Sequence, residues 1–179
     1  MHLLDTGFPG APLDEVGLAQ AAALPERLAG EPIEAVMASD ITRARQTAEP
    51  LAAALGVPLV VHPGVREIYA GDWDMAADWT DYPRIISSWV NDLTEGIPGG
   101  DDGVRFFERF DAAIAELQEY DCAAVVSHGG ALYAWLAGRG DLDLKAEPEW
   151  QLHNTDVVIV EGTPGHWSIL SWGDRELPR

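Results

Sequence analysis

Apolar positions recur along the chain in two rhythms. Phe107, Phe110, Ile114 and Leu117 fall at steps of three and four, the spacing of one buried helix face. Elsewhere the apolar residues gather in runs of strand length, at 34–38, 58–61 and 123–127. The last of these is wholly apolar until Ser127, as in a strand covered on both faces. Asp14 predicts an N-cap for a helix over 15–29, with a kink at Pro25. Ser39 or Asp40 is expected to cap a second helix running to Leu55, which Gly56 stops. A further helix is read near 82–93, followed by a turn at Pro98-Gly99-Gly100, and a short one follows His128-Gly129-Gly130. Residues 157–160 and 167–172 read as a closing hairpin turned by 161–165.

Helices alternating with short apolar strands predict an α/β layer fold with a mostly parallel sheet. Ligands of such sheets bind beyond the carboxyl ends of the strands. That rule directs attention to Ser39 through Arg43, to the region of Glu67, and to Ser127 through Gly130.

Composition narrows the classes of partner. The chain has 179 residues, 47% of them apolar, which suits one domain over 1–179 with a real core. Acidic residues number 30 against 11 Lys plus Arg, a formal charge of −19. That field repels nucleic-acid phosphates and anionic lipid, so neither nucleic acid nor membrane is expected as a partner. Any anionic substrate must be held by a few local cations. Cys122 is alone, which excludes an internal disulfide and a thiolate zinc cluster and suggests a buried, inert thiol. The first residues lack the features of a signal peptide, and the expected location is cytoplasmic.

Three residues stand where chemistry would be done. His128 follows a buried strand, and Gly129 and Gly130 open the next helix. Glycines there let a ligand approach the backbone, and the N–H groups of a helix start favour an anion. Arg43 falls in the first turn of a helix after a strand, within reach of the same edge, where a guanidinium grips phosphate with paired donors. Arg45 lies about 200° further round the helix, from the ~3.6-residue period, and reads as a surface charge. Glu67 sits in Val65-Arg66-Glu67-Ile68-Tyr69, where apolar neighbours would raise its pKa and make it a proton donor. His2, His62, His153 and His166 show no metal-ligand spacing and read as surface or turn residues. The tryptophans read as core or pocket lining.

In chain order these segments resemble the histidine phosphatase superfamily, the phosphoglycerate-mutase-like fold. The matching pieces begin at Pro12-Leu13-Asp14-Glu15-Val16-Gly17 with Gln20-Ala21, then Ala38-Ser39-Asp40 through Arg43-Ala44 and Gln46-Thr47-Ala48. Val65-Arg66-Glu67-Ile68 follows with Gly71-Asp72-Trp73, then Pro98-Gly99-Gly100, Val125 to Gly130 and Asn154-Thr155. The resemblance implies a three-layer α/β/α fold and a small phosphorylated substrate, with no metal or other cofactor. In the family an N-terminal Arg-His-Gly histidine attacks phosphorus, a glutamate protonates the leaving oxygen, and water releases phosphate. By resemblance Arg43 clamps phosphate, Glu67 is the proton donor and His128 bonds the phosphoryl group; Gly129, from its place at the helix start, is expected to lend its backbone to phosphate binding.

No Arg-His-Gly occurs in this sequence. Either residues 1–7 align with the family's opening strand, placing Asp5 and Thr6 where Arg and His belong, or Leu4 through Leu13 is the loop that normally follows that motif. The second fits better, because the first compresses the usual spacing to Pro12-Leu13. The opening strand is then truncated or degenerate, its neighbours' edges lie open, and either poor stability or pairing with another copy as a homodimer is expected. The expected function is phosphomonoester hydrolysis, weakened or abolished by the missing nucleophile. One alternative is a non-catalytic phosphate-ester-binding protein. Another, of a different class, is a serine hydrolase using Ser127, with Asp156 and His166 following in order.

Overall fold

The computed structural model describes residues 3–141 and 152–177. Asp14 caps α1 (Glu15–Arg27), its carboxylate accepting from the Gly17 N–H at 2.8 Å, as expected. The helix is not broken at Pro25, which lies in its last turn and costs few bonds there; the Leu28 N–H still reaches the Leu24 carbonyl at 3.0 Å.

β1 (Ala35–Ala38) leads into α2 (Thr42–Leu55), which ends on Gly56 in the left-handed conformation at φ 69°. The start of α2 differs from expectation. Its N-cap is Ile41, with no side-chain cap, because Ser39 and Asp40 are engaged across the site described below. β2 (Leu59–Val61) and β3 (Ala123–Val126) flank β1, both parallel to it, and Met37 stands beside Val60 on one side and Val125 on the other. The carboxyl ends of all three strands therefore point one way.

α3 (Asp81–Ser88) is shorter than the sequence suggests. α4 (Gly103–Glu116) buries Phe107 and Phe110 as its periodicity requires, and Phe106 and Ala113 with them. Phe110 packs on Trp135 of α5 (Gly129–Arg139), ring centroids 5.6 Å apart. β4 (Val158–Thr163) and β5 (His166–Trp172) form the expected hairpin, extended by β6 (Arg175–Glu176). These three strands make a separate antiparallel sheet, which the alternation of elements along the chain does not reveal.

Where the two sheets approach each other, the layer is open. β3 pairs only with β1, and β4 only with β5, among the described residues. Both strands line one cleft of about 950 Å³, with Leu24, Leu51, Phe110 and Trp135 from the helices on either side. β1 is buried at every residue, whereas β3, equally apolar, is only half-buried throughout.

Residues 3–7 do not fill that cleft. They form no strand, and instead Leu4 exchanges backbone hydrogen bonds with Met75 and Ala76 at 2.7 and 3.0 Å. Thr6 is buried against the same loop, its hydroxyl donating to Asp74 at 2.8 Å and accepting from the Ala70 N–H at 2.9 Å. In the described part of 1–7, then, Asp5 and Thr6 behave as loop anchors and not as the end of a strand. No helix among the described residues is long and apolar enough to cross a membrane.

Candidate active site

β1 and β3 end side by side, and Ser39 follows the first strand directly while His128 follows the second after Ser127. The His128 Nε2 lies 2.9 Å from the Ser39 Oγ, and both residues are buried. His128 is the extended N-cap residue of α5, so its ring is fixed by the strand behind it and the helix in front. Burial, reinforced by the Arg43 and Arg109 guanidinium groups and opposed by Asp40, pushes its pKa down to about 3. The imidazole is neutral at ordinary pH.

Glu67 reaches the same place from the loop after the Pro63–Val65 turn. Its carboxylate accepts from the Ile68 N–H at 2.8 Å and the Gly130 N–H at 3.1 Å, with a further backbone bond from Ala131. Desolvation nonetheless dominates and holds the carboxyl above its ordinary range, while those N–H groups and Arg43 pull it back. The expectation that the α5 N-terminus would receive an external anion is thus corrected in part. The Gly130 N–H is already committed to Glu67, and a Cβ on Gly130 would stand 2.9 Å from the Glu67 Oε1. A Cβ on Gly129 would meet nothing within 4 Å, so Gly129 faces open space.

Arg43 projects from the first turn of α2. It donates to the Asp5 backbone carbonyl at 2.9 Å and more weakly to the Asp5 carboxylate at 3.3 Å. Arg45 is exposed and pairs with Glu49 on its own helix, as its phase predicts. Arg43, Glu67, His128 and Gly129 all line the one cleft. A guanidinium, a neutral imidazole, a carboxyl of raised pKa and the open backbone at Gly129 can bind an oxyanion and supply a proton to it.

Three further residues serve this arrangement: Ser39 and Asp40, read from the sequence as helix caps at the strand end, and Arg109, which the sequence reading passes over. Ser39 holds His128. Asp40 forms a two-pronged ion pair with Arg66, which keeps its carboxyl below the usual range. Arg109 of α4 donates to the Gly64, Arg66 and Glu67 carbonyls at 2.8, 3.0 and 2.9 Å, and to Asp101 at 3.0 Å. It therefore fixes the loop that carries Glu67. A signal for it exists: Arg109 is a cation three residues after Phe106, beside an otherwise apolar helix face.

The remaining expectations separate cleanly. The Ser127 hydroxyl donates to the Val65 carbonyl at 2.8 Å, not to an imidazole, and His166 sits exposed beside the hairpin turn opposite Thr163. The serine-hydrolase arrangement is therefore not formed. His62 caps the 63–65 turn and faces Glu116, and exposed His153 bonds Asp156. His2 lies outside the described residues. Cys122 is half-buried and not fully so, with burial, Glu31 and Glu34 raising its thiol pKa. Trp89 is core, while Trp79 is exposed.

Comparison with known proteins shows the family and the fold. The profile of the histidine phosphatase superfamily (branch 1) matches residues 5–175. The adenosylcobalamin/alpha-ribazole phosphatase of Escherichia coli K12 is 32% identical over 154 residues, covering 82% of this chain and 75% of that protein. A mycobacterial glucosyl-3-phosphoglycerate phosphatase, solved with inorganic phosphate, superposes with a TM-score of 0.76 at 25% identity, over 94% of this chain and 90% of that one. The alpha-ribazole phosphatase of Shigella flexneri, 23% identical, shares the fold with a TM-score of 0.74 over 99% and 91% of the two chains.

Proposed function

Since the chain belongs to the histidine phosphatase superfamily, we propose that its cleft binds a small phosphate ester, with Arg43, Glu67, His128 and Gly129 around the phosphoryl group. The observation that carries this reading is that all four line one cleft although they are scattered over 87 positions of sequence, from 43 to 129. Arg43 supplies the charge that an otherwise acidic protein withholds. Its carboxylate contact at 3.3 Å is the weaker of its two bonds and the one a phosphate would replace. His128, neutral, contributes a hydrogen bond without a charge. Glu67, whose pKa desolvation raises, is the group placed to give a proton to the leaving oxygen, and the backbone N–H groups already aimed at it stabilise the carboxylate that forms. None of these roles calls for a metal ion.

The sequence holds no Arg-His-Gly, so this chain carries the acid and the clamp of a phosphatase without the family's nucleophile. Its hydrolysis of phosphate monoesters is accordingly weak or nil, and binding of the phosphate ester without hydrolysis is the alternative. An aryl phosphate assay run with and without a chelator tests this. Slow or undetectable release is expected; brisk turnover overturns the missing-nucleophile reading, and loss of activity with chelator overturns the metal-free scheme. The edges of β3 and β4 that pair with no other strand among the described residues support a second element of the proposal, association of two copies through the open layer.

A further inference from the structure

The contact between Ser39 and His128 bears on which ring nitrogen carries the hydrogen. The Ser39 side chain is fully buried, and its oxygen already accepts the Ile41 N–H at 3.2 Å. That backbone group can only donate, so the serine's own hydrogen needs a different acceptor. The His128 Nε2, at 2.9 Å, is the acceptor at hand. Were Nε2 to carry the proton, Ser39 would receive two donors, and its buried hydroxyl hydrogen would lack the acceptor that an unprotonated Nε2 offers, a costly arrangement for a buried group. We infer that Ser39 is a positioning residue that holds His128 as the Nδ1–H tautomer, so that the ring turns a donor, and not a lone pair, toward an oxyanion in the cleft.

The distinction matters because the ring is neutral. Burial and the neighbouring guanidinium groups of Arg43 and Arg109 keep it so at ordinary pH. An imidazolium would donate from both nitrogens whatever its surroundings, but a neutral ring has one donor, and its partner decides which nitrogen that is. Ser39 and His128 follow adjacent parallel strands, with Ala38 registered on Val126, so the pairing is built into the sheet. The significance of the tautomer for phosphate rests on the function proposed above; the tautomer itself does not.

The test uses the full chain labelled with ¹⁵N-histidine. Long-range ¹H–¹⁵N correlation spectra near neutral pH report which nitrogen is protonated, with His128 assigned by its disappearance in His128→Gln. The expected spectrum shows protonated Nδ1 and bare Nε2. A proton on Nε2, an even mixture or an imidazolium overturns the inference, and no variant needs to fold for that result beyond the assignment. In Ser39→Ala the ring is expected to become a mixture of tautomers, and vanadate affinity is expected to fall about 3–10-fold, the worth of one hydrogen bond at a buried site. An unchanged tautomer in a folded Ser39→Ala protein also overturns it. If the native chain shows Nδ1–H but binds no vanadate, the phosphate reading fails and the role of Ser39 stands. If vanadate binds while Nε2 carries the proton, the reverse holds.

Discussion

At the scale of single residues, the site is governed by two opposed titrations. His128 takes a proton in the unfolded chain near its ordinary pKa of 6.5 but resists it to about 3 when folded. Between those values the unfolded state binds more protons, so stability rises with pH and is lost on acidification, by up to ~1.4 kcal/mol per pH unit. Glu67 has the opposite sign: its raised pKa adds stability at low pH that disappears as pH rises through the folded value. Urea unfolding of His128→Gln across pH 4–7 is therefore expected to show a flatter acid limb than the native chain. An acid limb of unchanged slope would mean that His128 is not held neutral. Much of this was readable beforehand, because Glu67 and His128 announce themselves by apolar neighbours and flanking glycines. Ser39 was not, since a small hydroxyl before a helix reads first as a cap, and only strand adjacency shows that it belongs to His128.

Among elements, the loop over 64–67 is the one whose geometry the chemistry needs most. A single side chain from α4 bonds three of its carbonyls, so Arg109 substitutes for the regular hydrogen bonding that a loop lacks. Arg109→Ala leaves those carbonyls and Asp101 without their donor, and a loss of about 2–4 kcal/mol in urea unfolding is expected. Arg109→Lys should recover only part of it, because an ammonium cannot span the same fork of acceptors. Equal stability of the lysine and native proteins would show that charge alone suffices. Helix starts and stops were legible where the cap is local, as at Asp14 and Gly56. The start of α2 was misjudged because the residues suited to cap it bond instead to partners distant in sequence, Asp40 to Arg66 and Ser39 to His128.

For the whole molecule, the open layer between β3 and β4 follows from the degenerate opening strand and not from the apolar pattern of β3 itself, which hides it. An apolar run such as Ala123–Val126 reads as a strand covered on every side, yet it is half-buried because it borders the cleft. Periodicity reports what a strand would bury, not whether a neighbour is there to cover it. Unpaired edges favour association, and a charge of −19 on each copy opposes it. Self-association is therefore expected to strengthen as salt screens the repulsion, and sedimentation velocity at low salt and at roughly 0.5 M salt, where screening acts within a few ångströms, would show it. A species that stays monomeric at all concentrations and salts would contradict pairing of the edges. A Val125→Lys variant, placing a charge on the half-buried strand, should suppress the dimer.

The same charge makes anion binding a demanding criterion, because nothing but a built site can hold phosphate against it. Calorimetric titration of vanadate into the native chain and into Arg43→Ala measures this directly. The account requires binding to the native chain and a loss of at least about tenfold in the variant, the worth of a charge-assisted pair. Native protein that binds no vanadate, or an Arg43→Ala variant that binds it equally well, would contradict the claim that Arg43, Glu67 and His128 enclose an oxyanion.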